Sequence, residues 1–126
     1  MRRILIAVAL LCVPSAALAQ SVSKTRAAPA VSGGYVLKAG TAVLAGMNVT
    51  TGASAGYVLV FDAATVPADG AVTPLRCLPV AANTGVDINF RGSPLKFDAG
   101  AVVVFSTTGC YTKTASATAF IAGDIQ

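Results

Sequence analysis

Histidine, tryptophan and glutamate are all missing from this 126-residue chain, and charged residues make up only 11% of it. Without histidine there is no imidazole general base, no Ser-His-Asp triad and no ordinary zinc site. The charge is too sparse, and the 55% hydrophobic fraction too high, for a disordered solvating chain. No run of Lys and Arg occurs and no basic residues interleave with aromatics, so nucleic-acid binding has no support. No apolar run reaches the roughly 18 residues a bilayer-crossing helix requires. The length allows one domain, not two.

The first segment has the composition of an export signal. Arg2 and Arg3 form a basic start, and Ile4 to Val13 form an apolar run of about ten residues. Ala17-Leu18-Ala19 is a small-x-small cleavage site, which predicts a signal peptide over 1–19 and a mature start at Gln20. The competing readings are a retained anchor, for which the run is short, and a lipoprotein. Leu11 argues against the latter, because lipidation favours a small residue before the cysteine. The expected location is therefore the periplasm, cell surface or exterior, with no membrane insertion after cleavage. Beyond residue 19, seven basic and five acidic residues leave a net charge of about +2.

Cys12 leaves with the signal, so Cys77 and Cys110 are the mature pair. In an oxidising compartment an even pair is most simply a disulfide. Closing a loop of that length is worth roughly 3–4 kcal/mol in the chain-entropy model. Two separate small core residues, or a reactive thiol, are the alternatives. The spacing is not CxxC, and two cysteines without histidine make a poor metal site.

Residues 20–33 lack apolar periodicity and read as a flexible linker. From Gly34 onward, short β-rich segments alternate with turns. Strands are expected at Tyr35–Lys38, Thr41–Thr50, Tyr57–Asp62, Val72–Val80, Val86–Arg91, Leu95–Phe97, Val102–Phe105 and Ser116–Ala122. Tyr57, Leu59 and Phe61 alternate with Val58 and Val60, and Val86, Ile88 and Phe90 alternate with Asp87, Asn89 and Arg91. Pro74 and Pro79 place Val72–Val80 at a sheet edge, since proline donates no ladder hydrogen bond. Val102–Phe105 is apolar throughout, as a strand buried on both faces would be. Pro67-Ala68-Asp69-Gly70, Asn83-Thr84-Gly85 and Asp98-Ala99-Gly100 supply turns. About eight short strands over 34–126 predict an all-β fold, a single antiparallel β-sandwich or jelly-roll-like domain. Ser32-Gly33-Gly34-Tyr35-Val36-Leu37 nearly repeats as Ser54-Ala55-Gly56-Tyr57-Val58-Leu59, too briefly to establish a duplication.

Candidate chemistry is thin. Ser93-Pro94-Leu95-Lys96 has S-x-x-K spacing, but that chemistry needs a helix, and the alternation of Leu95 and Phe97 implies a strand. Asp69 and Asp98 are explained by turns and Asp87 by a solvent-facing position, leaving no carboxylate pair for glycoside hydrolysis. No D-x-D spacing supports calcium. Asn48-Val49-Thr50 fits a glycosylation sequon, but the signal looks bacterial and a polar strand end suffices. Most aromatics fall at inward strand positions; Tyr111, beside Cys110, is the one expected at the surface. Tyr111 and Arg91 are the candidate contacts to a ligand or partner, and no cofactor or metal is implied.

The phrases GYVLVFDAATVPADGAVTP, VDINFRGSPLKFDAGAVVVFSTTG and TKTASATAF, spread over 34–126, are similar to small β-sandwich proteins of tailed phages and prophages. The resemblance implies a virion-surface or tail-associated part and carries no catalytic motif. The signal peptide departs from it, because virion proteins assemble in the cytoplasm. The expectation is an exported, non-enzymatic structural or surface-interaction module with a protein partner or self-association. A small-ligand or carbohydrate-binding module is the alternative.

Overall fold

A computed structural model of the chain describes residues 24–28 and 34–126. The expected signal peptide at 1–19 lies outside the described residues. What is described is all β, built as two packed antiparallel sheets with a small third layer. The strands are β1 Lys24–Ala28, β2 Tyr35–Ala39, β3 Ala42–Thr51, β4 Gly56–Asp62, β5 Gly70–Ala71, β6 Arg76–Val80, β7 Gly85–Asn89, β8 Leu95–Phe97, β9 Gly100–Ser106, β10 Thr112–Lys113 and β11 Ala119–Ile125.

One sheet runs β1-β11-β3-β7, with β8 paired to the other half of the same β3 edge. The second runs β2-β9-β4-β6. Between them, Leu37, Leu44, Val49, Val58, Val60, Phe97, Val103, Phe105 and Ile121 interdigitate as the main core. The alternation read from the sequence decides this arrangement. Val58 and Val60 face the main core, while Leu59 and Phe61 on the same strand face the other way and join Val102 and Val104 in a second cluster. Strand β9, apolar from Ala101 to Phe105, is buried at every position because it is covered on both sides.

The third layer supplies that second cover. β5 and β10 pair as a two-stranded ribbon, with Val72 and Ala115 packed onto the second cluster. Ser106, wholly buried at the end of β9, ties the layer down: its hydroxyl accepts the Thr114 amide at 3.1 Å and donates to the Thr112 carbonyl at 3.5 Å. A buried hydroxyl without such partners would be costly.

Three sequence expectations change. The linker read over 20–33 contains strand β1, whose Lys24–Ala28 pairs with Ile125–Ile121 of β11. Its residues have no apolar alternation because an edge strand gains its hydrogen bonds from backbone, whatever its side chains. Of Val72–Val80 only Arg76–Val80 is a strand, β6, and the short β5 ends just before the segment, at Ala71. Pro74 interrupts the ladder, and Leu75 donates instead to the Val60 carbonyl at 2.7 Å, which steers the chain from the third layer onto the sheet edge. The last full strand begins at Ala119, not Ser116, with β10 formed earlier at Thr112. The edge position inferred for the proline-bearing segment holds, since among the described residues β6 pairs only with β4.

One carboxylate organises the end of the second sheet. Asp62 accepts the amides of Asp98 at 3.1 Å, Ala99 at 2.8 Å and Gly100 at 3.2 Å. The Asp98 amide contributes most, then that of Ala99, and together they hold the carboxyl below the ordinary aspartate range. Gly100 has φ +153°, and a Cβ there would sit 2.7 Å from the Ala63 carbonyl oxygen, so the turn requires glycine. A lowered native pKa means Asp62 stabilises the fold above the unfolded-state value near pH 4, and that contribution disappears as pH falls through the native value. Asp62→Ala is expected to melt below the wild type at neutral pH. The gap should close as the pH is taken below the unfolded-state value and the wild-type carboxylate protonates, which melting curves over an acid pH series will measure.

Candidate functional site

The two residues singled out as contacts lie on opposite sides of the sandwich. Tyr111 belongs to the third layer, immediately before β10, and is the most exposed of the large hydrophobic side chains among the described residues, at 74%. Its backbone, by contrast, is fixed from both directions. Cys110 is bonded to Cys77 of β6 with Cα atoms 5.6 Å apart, and the Tyr111 carbonyl accepts the Val72 amide at 3.0 Å. Of the alternatives left open for the cysteines, the disulfide is the one present, and such a bond fits an oxidising, exported environment.

Lys113, two residues on, is only 3% exposed, and its ammonium pairs with Asp69. Asp69 is the turn aspartate after Pro67, and the same oxygen accepts the Ala115 amide at 3.2 Å. The Lys113 hydrogen bond is the main cause of its lowered pKa, followed by that amide. The aspartate therefore binds the two halves of the third layer together, a role its turn chemistry alone did not reveal. The buried state of Lys113 was also not legible. Its neighbours Thr112 and Thr114 are exposed, and short alternation of that kind carries no sign of which face is covered.

Against this frame stands a small apolar surface. Leu75 is 47% exposed, and with Pro74, Arg76, Tyr111 and the disulfide it lines a shallow cleft of about 340 Å³. The ring and the isobutyl group project from backbone that is already immobilised. Binding through them therefore orders little chain and loses little entropy. Chemically the cleft offers a rigid aromatic, an aliphatic anchor and a guanidinium. Those are interface residue types.

Arg91 follows β7 on the outer face of the other sheet. It borders a polar hollow of about 200 Å³ with Asn48, Asp87, Asn89 and Asp124. Pattern reading gave Asp87, Asn89 and Arg91 as outward residues, but it could not bring Asn48 or Asp124 beside them. Those neighbours come from β3 and β11, which flank one another only through sheet register. No group of three or more Cys or Asp side chains suited to a metal occurs among the described residues. No helix there is long and apolar enough to cross a membrane.

No family model, curated protein or solved structure matches this chain. The functional reading therefore rests on these two surfaces.

Proposed function

We propose that this protein is an exported, non-enzymatic β-sandwich that acts as a structural module, associating with further copies of itself through the cleft beside the Cys77–Cys110 bond. The observation that carries the reading is the pairing of exposed Tyr111 and Leu75 on backbone locked by the disulfide and the third layer. Large apolar side chains on pinned backbone make good anchors, because packing them removes apolar surface from water without ordering a loop. The low charge of the chain favours homotypic packing, since few ionic groups need desolvation when two such surfaces meet. The likeness to phage β-sandwich proteins agrees with an assembly role, and the signal peptide directs the module to the envelope.

Light scattering over a concentration series of the chain lacking residues 1–19 tests this. The expected result is a mass that rises with concentration, and that stays monomeric in a Leu75→Ser, Tyr111→Ala double variant of unchanged circular dichroism. A wild type that remains strictly monomeric up to millimolar concentration overturns the reading.

A further inference from the structure

The outer face of the β1-β11-β3-β7 sheet carries the polar hollow beside Arg91, on the far side of the molecule from the Tyr111 cleft. From its construction we infer that this hollow binds an uncharged oligosaccharide, laid along β11 with one sugar ring on Phe120.

The hollow is produced by backbone, not by mobile loops. The β3–β11 register slips between Asp124 and Ile125, where Gly46 faces Asp124 and Leu44 faces Ile125. Ala45 is the extra residue, and its carbonyl accepts the Phe90 amide at 2.8 Å. Such bulges re-aim neighbouring side chains and recur beside binding sites. Gly46 lies between Asp124 on one neighbouring strand and Asn89 on the other, so a position without a side chain is flanked by two polar ones. A Cβ there would stand 3.0 Å from the Ile88 carbonyl oxygen and 3.9 Å from Asp124 Oδ2, partly filling the space. The next row across the sheet is Ala122, Asn48 and Asp87.

The polar groups are held in place and only partly used. The Asn48 amide donates to Asp87 Oδ1 at 2.7 Å, Thr25 donates to Asp124 Oδ1 at 2.8 Å, and Asn89 Oδ1 accepts the Arg91 amide at 2.8 Å. Among the side chains whose placement is described, none donates to Asp87 Oδ2 or Asp124 Oδ2 and none accepts from Asn89 Nδ2. Fixed planar carboxylates and amides with one free edge match the alternating donor and acceptor character of neighbouring sugar hydroxyls. Two carboxylates against one guanidinium leave a small negative balance, which disfavours an acidic ligand, and the open carboxylate edges suit hydroxyl donors.

Phe120 supplies the apolar half of the recognition. It is 43% exposed, on the same face as Ala122 and Asp124, and faces exposed Thr50 across the strand pair. The distance from Phe120 to Asp124 along β11 is roughly 14 Å at strand rise, longer than a single sugar ring. The C–H face of one ring can cover the phenyl group while the hydroxyls of the next reach Asn48 and Asp87. Ala122, which pairs with Asn48 and lies between Phe120 and Asp124 on β11, is the small residue between the ring and the hollow.

The test titrates the ¹⁵N-labelled chain lacking residues 1–19 with cellohexaose, maltohexaose, laminarihexaose and chitohexaose, and with polygalacturonate as an acidic control. The expected result is saturable shift changes at the amides of Asn48, Asp87, Asn89 and Phe120 with at least one neutral hexasaccharide. Phe120→Ala and Asn89→Ala, both surface changes, should each weaken that binding at least tenfold with an otherwise unchanged spectrum. Saturation by polygalacturonate alone, shifts confined to residues around Tyr111, or no shift with any neutral sugar at 10 mM overturns the inference. These outcomes are independent of whether the Tyr111 cleft mediates self-association, since Leu75→Ser, Tyr111→Ala leaves the hollow intact.

Discussion

Truncating Phe97 to alanine is expected to lower the unfolding free energy by about 3–5 kcal/mol, the range for deleting a buried phenyl group. Phe97 is 1% exposed and sits in the main core, on the short strand β8, which is held to β3 by the pairing of Ala42 with Phe97 and of Leu44 with Leu95. Three residues of strand cannot define their own position by backbone hydrogen bonds alone. The ring is what seats β8 under the sandwich, so the variant loses transferred apolar area and also leaves a cavity that neighbouring strands cannot close. Phe97→Leu keeps much of the volume and should lose about 1 kcal/mol. Urea unfolding of both variants measures the effect, with the midpoint moving and the slope preserved. Equal stability of Phe97→Ala and wild type would show that β8 is not part of the cooperative unit.

Removing the disulfide should come close to this. Cys77 and Cys110 are separated by 33 residues in sequence, and the chain-entropy model assigns the closure of such a loop about 3–4 kcal/mol. A Cys77→Ser, Cys110→Ser double variant is therefore expected to unfold on the order of 15 °C lower. The loss should also be uneven. The Asp69–Lys113 pair still joins the two halves of the third layer and the Ser106 hydroxyl still holds that layer to the sheet, whereas Tyr111 loses the anchor on its N-terminal side. Hydrogen exchange should rise first over residues 107–112, with the β3–β11 pairing protected until global unfolding. If the Tyr111 cleft mediates self-association, the double variant will also weaken it while remaining folded at low temperature. Unchanged melting on reduction would mean that the bond adds nothing to closure.

The fold was largely legible where two strand faces differ in polarity. The alternations of Tyr57–Asp62 and Val86–Arg91 encode their orientation, and the continuous apolar run at Val102–Phe105 encodes burial on both faces. β1 was illegible because an edge strand needs only backbone hydrogen bonds, and β5 and β10 because two residues carry no period. For the candidate surfaces, the exposure of Tyr111 and Arg91 was legible in the strand pattern, but their neighbours were not. Leu75 meets Tyr111 through a disulfide, and Asn48 meets Asp87 through a strand register spanning 39 residues of sequence.

By itself the sequence pointed to an antiparallel β-sandwich or jelly-roll-like domain, made a Cys77–Cys110 disulfide the simplest of several readings, and excluded histidine chemistry. Composition and short-range alternation are local properties that any fold of these residues must respect. Only the tertiary structure decided which side chains became neighbours. It turned an unremarkable lysine into the buried partner of Asp69, closed Cys77 onto Cys110, and slipped one residue between β3 and β11 to open the hollow at Gly46. Those pairings depend on strand register and layer order. The two clefts are thus products of packing between segments that carry no local mark of their association.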